Sequence, residues 1–167
     1  VCSSDLALVH VPLIVRWPGQ IAPRTTDAMT CNLDILPTLA AIAEVPCPEG
    51  MQGLSFLPVL KGASDQHRSA IFLEHGNPGP VMRPGMLSEE RKRELGEHTG
   101  HHLCSEISRG RVKGVRTERW KFSVTPGDVD ELYDMETDPG ELHNLAGDPQ
   151  YADVVRRHRD LILQWLI

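Results

Sequence analysis

Aromatic residues are scarce in this 167-residue chain, at 5%, and no apolar run approaches the roughly 18 to 20 residues needed to cross a bilayer. A surplus of basic residues is also lacking: 17 Lys and Arg stand against 23 Asp and Glu, for a net charge of −6 and a pI near 5.7. That balance argues against a phosphate-backbone binder, which carries clustered positive charge, and so against nucleic acid as a partner. No basic-then-apolar leader precedes a small-residue cleavage site. Cysteine is sparse too. Cys2, Cys31, Cys47 and Cys104 lie far apart and form neither a zinc pattern nor a compact disulfide framework. What the chain does have is 40% apolar residues, enough for a folded domain with a core rather than a disordered tail.

The first six residues, Val1-Cys-Ser-Ser-Asp-Leu6, equal the translation of the end of a widely used DNA-sequencing adapter, and we hypothesise that they are an artefact. Independent clones carrying those six codons in genomic context would remove that idea. Val11 to Trp17 is a nearly continuous apolar run closed by Pro18-Gly19, the pattern of a strand buried on both faces of a parallel sheet. Asn32 or Asp34 can cap a helix running to Ala43, with Ile35, Leu36, Leu39, Ile42 and Ala43 along one apolar side and Pro37 in or near the first turn, where a missing N–H costs least. Gly50 to Gly62 reads as a loop with a short helical turn, and Ala70 to Glu74 as a strand. Residues 76–110 carry Gly, Pro, charge and a succession of His; a short helix capped by Ser88 is expected at Glu89 to Leu95 within this long connection.

Beyond it, Val112 to Thr117 and Trp120 to Thr125 predict two strands joined by a tight turn at Glu118-Arg119, and Glu131 to Met135 a third. Asp138-Pro-Gly140 is a turn in which Pro fixes φ and Gly is expected to take the positive φ. Asp148 and Pro149 make an N-cap and N1 pair for a terminal helix whose apolar face runs Tyr151, Val154, Val155, His158, Leu161, Ile162 and Trp165. The absence of a Gly or Asn after it suggests a helix that frays or continues past Ile167.

Several segments, in order, carry a family resemblance: Val11-Pro-Leu-Ile-Val-Arg-Trp-Pro-Gly19, Asn32-Leu-Asp-Ile-Leu-Pro-Thr38, Met51-Gln-Gly-Leu-Ser55, Leu57-Pro-Val-Leu-Lys-Gly62, Gly114-Val-Arg-Thr-Glu-Arg-Trp-Lys-Phe122 and Glu131-Leu-Tyr-Asp-Met-Glu-Thr-Asp-Pro-Gly-Glu-Leu-His-Asn-Leu145. The chain resembles the carboxyl-terminal part of the type I sulfatases of the alkaline phosphatase superfamily. The resemblance implies an α/β fold: the edge of the large sulfatase α/β domain over residues 7–66, then a small subdomain of antiparallel strands with a packed terminal helix over 67–167, with 76–110 as a loop-rich insertion.

It also implies an enzyme that hydrolyses sulfate esters with a formylglycine hydrate as nucleophile and a calcium or magnesium ion held by carboxylates, acting on a sulfated small molecule or a sulfated glycan. Export to the periplasm or the exterior, or delivery to the lysosome, follows from the same resemblance. The formylglycine precursor would be a Cys or Ser with Pro at +2 and Arg at +4. Ser64 and Ser105 have Arg68 and Arg109 at +4 but Gln66 and Ile107 where Pro is required, and no Cys qualifies. No catalytic or metal-binding residue is therefore expected within this chain, and Ser64-Asp-Gln-His67 imitates a metal motif out of its proper order.

Three residues are candidate substrate contacts: His75 at a strand end, and Lys113 and Arg116 as cations for an anionic sugar. His98, His101, His102 and Cys104 form a further cluster, but a metal site needs a closed and supported ligand set. Two alternatives remain open: a phosphatase or phosphodiesterase of the same superfamily, and a non-catalytic carbohydrate-binding or interaction module, which would need an exposed aromatic platform.

Overall fold

The computed structural model describes residues 9–75, 88, 90, 93 and 112–167. The six-residue amino-terminal segment, almost all of the helix expected at Glu89 to Leu95 and the His98, His101, His102 and Cys104 cluster lie outside the described residues. Those described fall into two compact units, one from Pro12 to Ile71 and the other made of residues 9–11 and those from Phe72 onward.

The first unit is built around a 3₁₀ turn at Asn32–Asp34 leading directly into helix α1, Ile35–Ala43. Pro37 sits in the first helical turn as expected, and Glu44 ends the helix in the left-handed conformation (φ 56). The expected orientation is reversed. Pro37, Thr38 and Ala40 are buried, whereas Ile35, Leu36 and Leu39, expected on the packed side, are exposed. The cause is polar: Thr38 Oγ1 donates to the Asp34 carbonyl at 2.7 Å and accepts from the Phe56 amide at 3.0 Å, fixing which side faces inward. A second short helix, α2, spans Leu57–Leu60 with Pro58 in its first turn; Phe56 before it and Val59 within it are buried.

The strand expected from Val11 to Trp17 does not form. A β-strand exists only where a neighbour accepts and donates its ladder bonds, and among the described residues Pro12 to Arg16 make no backbone hydrogen bond. Its side chains consequently lie open, with Ile14 89% exposed.

The second unit contains most of a four-stranded antiparallel sheet, in the order β1 (Ala70–His75), β2 (Val112–Thr117), β3 (Trp120–Val124) and β4 (Glu131–Asp134). Tight antiparallel pairing of β2 with β3 and of β3 with β4 aligns Val115, Phe122 and Leu132 in one cross-strand row, all fully buried. A 3₁₀ turn at Pro149–Tyr151, capped by Asp148 accepting the Gln150 amide at 2.9 Å, opens helix α3, Ala152–Leu166. Helix α3 packs on β2 and β3 through the face read from its periodicity, with His158 and Ile162 buried.

The free edge of β4 is covered by irregular backbone. Asn144 Oδ1 accepts the Leu132 amide at 3.0 Å, and the Leu145 amide donates to the Leu132 carbonyl at 2.9 Å. At the turn Asp138-Pro-Gly140, the left-handed residue is Glu141 (φ 56) rather than the expected Gly140.

Candidate functional site

Two groups of ionisable side chains stand out, one in each unit. In the first, Asp34 is fully buried. Its Oδ2 accepts from the Cys31 amide and His67 Nε2, both at 3.1 Å, and from Arg68 Nε at 2.8 Å; its Oδ1 accepts from the Leu54 amide at 2.8 Å and from a second Arg68 nitrogen. Burial alone would raise the pKa of this carboxyl, but the Arg68 bonds, helped by the Leu54 and Cys31 amides, outweigh it and hold the group well below the usual carboxylate range. A carboxylate with both oxygens so engaged has no capacity left to bind a cation or accept a proton from substrate. Its chemistry is that of an anchor, joining the start of α1 to the Gly53-Leu54 loop and to the Arg68 segment. The nearby Cys31 thiol is pushed up chiefly by burial, which leaves it a weak nucleophile.

In the second unit, the sheet face turned away from α3 is polar. Arg116, Lys121 and Tyr133 form one cross-strand row on it, and Gly114, Ser123 and Glu131 the next. Lys121 is 1% exposed, ion-paired with Glu141, and its Nζ lies 5.8 Å from the centre of the Tyr133 ring. Ser123 donates to Glu131 at 3.2 Å. Arg116 beside them is half-buried and donates to the Thr117 carbonyl; burial lowers its pKa, opposed by the charges of Glu141 and Glu118. It has no carboxylate within ion-pair distance among the described residues.

The three candidate contacts are not brought together. Lys113 lies on the α3 side of the sheet, paired with Glu74 and 5.5 Å from the centre of the Trp165 ring. Arg116 is on the opposite face, and His75 is exposed at the carboxyl end of β1, where it has an interaction partner. Sequence reading passed over the Asp34 anchor, because Asp34 looks like a helix cap; only the distant Arg68 reveals its second use. Lys121 with Glu141 was missed for a similar reason, since 20 residues separate the partners.

Residues suited to a metal ion are not grouped here: among the described residues no three His, Cys, Asp or Glu side chains converge. Asp34 is saturated by Arg68, and Asp65 of the rejected Ser64-Asp-Gln-His67 imitation pairs with Arg24. The donor set thus does not fit the calcium or magnesium ion that the resemblance implies. Two of the three tryptophans are engaged by other rings: Trp165 stacks on Phe72 at 5.0 Å and Trp120 leans on Tyr151 at 5.7 Å. No helix among the described residues is long and apolar enough to cross a membrane.

The chain matches the family described as N-sulphoglucosamine sulphohydrolase, C-terminal, over residues 7–83 and 88–165. It is 31% identical to human arylsulfatase A over 140 residues, covering 83% of this chain and 26% of that protein. Among solved structures it is similar to one described in complex with its substrate D-glucosamine-2-N,6-O-disulfate, at 26% identity and a TM-score of 0.65, covering 90% of this chain and 27% of the other. It is also similar to the phosphonate monoester hydrolase of Agrobacterium radiobacter, at 27% identity and a TM-score of 0.58, covering 84% and 25%. The chain spans about a quarter of the length of these relatives. An antiparallel sheet backed by one helix, and a family match across nearly every residue, lead to one assignment: the chain belongs to the sulfatases of the alkaline phosphatase superfamily, and corresponds to their carboxyl-terminal part.

Proposed function

We propose that these residues serve a sulfate-ester hydrolase as its supporting carboxyl-terminal part, while the nucleophile and the metal ligands belong to the remainder of the sulfatase fold. The family match over 7–83 and 88–165 carries this reading. In such an enzyme a formylglycine hydrate attacks sulfur and later expels sulfate by collapsing to the aldehyde, and a calcium or magnesium ion offsets the charge on the sulfate oxygens. Among the described residues no three acidic, His or Cys side chains converge to hold such an ion, and no Cys or Ser of the sequence has both Pro at +2 and Arg at +4. Residues 7–66 then correspond to the end of the catalytic α/β domain and 67–167 to the carboxyl-terminal subdomain.

The substrate class we favour is a sulfated glycan. Support comes from the similar structure that holds a disulfated glucosamine. Of the three candidate contacts, Arg116 has the most spare hydrogen-bonding capacity, since Lys113 already pairs with Glu74. His75 and Lys113 would act at the margin of the substrate through their charge or polarity.

A second reading is favoured by one observation, the likeness to a phosphonate monoester hydrolase. Both are tested with a polypeptide that carries these residues behind a sulfatase amino-terminal region, offered 4-nitrophenyl sulfate, 4-nitrophenyl phenylphosphonate and glucosamine 6-sulfate. Preferential sulfate release supports the first reading, and faster phosphonate cleavage would replace it with the second. The 167 residues alone are expected to release no sulfate with or without calcium; turnover by the purified chain would defeat the proposal that its machinery lies elsewhere.

A further inference from the structure

We propose that Arg116 is an oxyanion-binding residue whose Nε and Nη2 edge receives a sulfate or carboxylate group of an anionic sugar, and that Glu141 shapes this site by reserving the neighbouring Lys121. The proposal deepens the reading of the chain as part of a sulfate-ester hydrolase and rests on it for the class of ligand. All of these residues belong to the second unit.

A cation withdrawn from water is stable only with a counter-charge or hydrogen-bond acceptors around it. Among the described residues, the Lys and Arg side chains withdrawn from full exposure are Arg68, Lys113, Arg116 and Lys121. Arg68 holds Asp34, Lys113 holds Glu74 and Lys121 holds Glu141. Arg116 differs. Among the described residues its hydrogen bond runs from Nη1 to the Thr117 carbonyl, and the charges of Glu141 and Glu118 act on it only from a distance. A guanidinium carries more N–H donors than that bond uses, and the edge left over, formed by Nε and Nη2, is the one that meets two oxygens of a carboxylate or sulfate side by side. Half-burial strengthens such a pair relative to one in open water without closing the residue off.

The facing strand decides that Arg116, and not Lys121, is the available charge. Arg116 on β2 stands directly opposite Lys121 on β3, and like charges so placed repel. Glu141 answers only the lysine. Lys121 is 1% exposed and its ammonium is paired with the Glu141 carboxylate, whose backbone takes the left-handed conformation (φ 56) that residues with a side chain seldom adopt. A backbone outlier of this kind persists where the surrounding contacts hold it, and the pair with Lys121 is such a contact. With that carboxylate committed to Lys121, the repulsion across the two strands is best relieved by an anion that settles on Arg116. A sulfated or uronic sugar brings one, and a neutral sugar does not.

The test titrates the chain at constant ionic strength with N-acetylglucosamine 6-sulfate and with methyl glucuronide, using N-acetylglucosamine and methyl glucoside as neutral controls. The Arg116 Nε–H resonance, assigned by its loss in Arg116→Lys, is followed by NMR. At least one of the anionic sugars should move it saturably while the neutral ones leave it in place, and which of them does so names the group bound. Arg116→Gln should weaken that binding on the order of tenfold or more. Glu141→Gln, with an unchanged circular dichroism spectrum, should strengthen it by releasing Lys121 toward the anion; if this variant does not fold, the resonance of the parent decides. A resonance that neither anionic sugar moves, Arg116→Gln binding as tightly as the parent, or a folded Glu141→Gln that binds no more tightly would overturn the proposal. The polypeptide that carries these residues behind a sulfatase amino-terminal region separates the two readings. If it cleaves no sulfate ester while the chain still binds through Arg116, the oxyanion site stands and the hydrolase reading falls. If it cleaves the sulfated sugar with a KM that Arg116→Gln leaves unchanged, the hydrolase reading stands and the site falls.

Discussion

Asp34 and Arg68 show how much a single ion pair can organise when it is buried. The carboxylate bridges three segments, and removing it leaves a guanidinium facing a desolvated pocket with no counter-charge. Breaking one partner of such a pair costs about 3 to 5 kcal/mol. Asp34→Ala should therefore lower the stability of the first unit by that order, read as a fall in the denaturant midpoint, while Asp34→Asn should lose less because the amide oxygen still accepts from Leu54. The acid response has a definite sign. Since Asp34 is more acidic folded than unfolded, its contribution is complete above the unfolded value of about 3.9 and declines as pH drops below it.

His158 works in the opposite half of the scale. Its imidazole is buried under α3, bonded to the Val154 carbonyl at 2.8 Å and to Thr117 Oγ1 at 3.1 Å, and burial lowers its pKa, with the Arg157 charge adding to the effect. The unfolded chain takes up this proton first as pH falls below about 6.5. Stability of the second unit should be full above that value and decline below it, levelling off once the folded form is protonated too. Thermal melts between pH 8 and 5 should show this slope in the parent and a flatter one in His158→Gln; equal slopes would show that another group is responsible.

Among the elements, Gly53 explains a motif that looks merely flexible. A Cβ placed there would lie 1.9 Å from the Leu33 carbonyl oxygen and 2.8 Å from the Pro37 ring, so the loop closes on the 3₁₀ turn only because Gly has no side chain. Gly53→Ala should destabilise by about 1 to 3 kcal/mol or more, as backbone cannot give way like a rotamer. Gly140→Ala, whose added carbon meets only Leu142 at 3.6 Å and which has no positive φ, should be near neutral in the same chemical denaturation.

Strands β2, β3 and β4 and helix α3 were legible because their signals are local: alternation, a two-residue turn, and an Asp-Pro cap beside a 3.6-residue stripe. The strand expected from Val11 and the packing side of α1 were misread for a shared reason. Apolar residues show that a surface is meant for burial, but not against what. For α1 the inward side was decided by Thr38 and Asp34 bonding to residues 18 to 34 positions away. Distance in sequence also hid the Lys121 and Glu141 pair, whose partners stand 20 residues apart.

For the whole molecule, charge and apolar exposure act against each other. At neutral pH the net charge of −6 keeps copies apart, and that repulsion vanishes near the pI of about 5.7. The exposed Leu13 to Val15 segment makes no backbone hydrogen bond among the described residues and has open side chains, the combination that lets copies pair edge to edge. Light scattering of the chain alone should rise as pH is brought from 7.5 to 5.7, and salt should raise it at pH 7.5 by screening the charge. Ile14→Lys with Leu36→Lys should suppress the rise at pH 7.5 in salt, because they interrupt the sticky segment and stripe directly. They also shift the net charge from −6 toward −4, so a control with two lysines at already exposed polar positions, Gln20 and Asn32, carries the same charge change without touching either surface. If the control suppresses association equally, charge rather than the open apolar surface governs it, and the segment from Leu13 is not what makes this chain seek a partner.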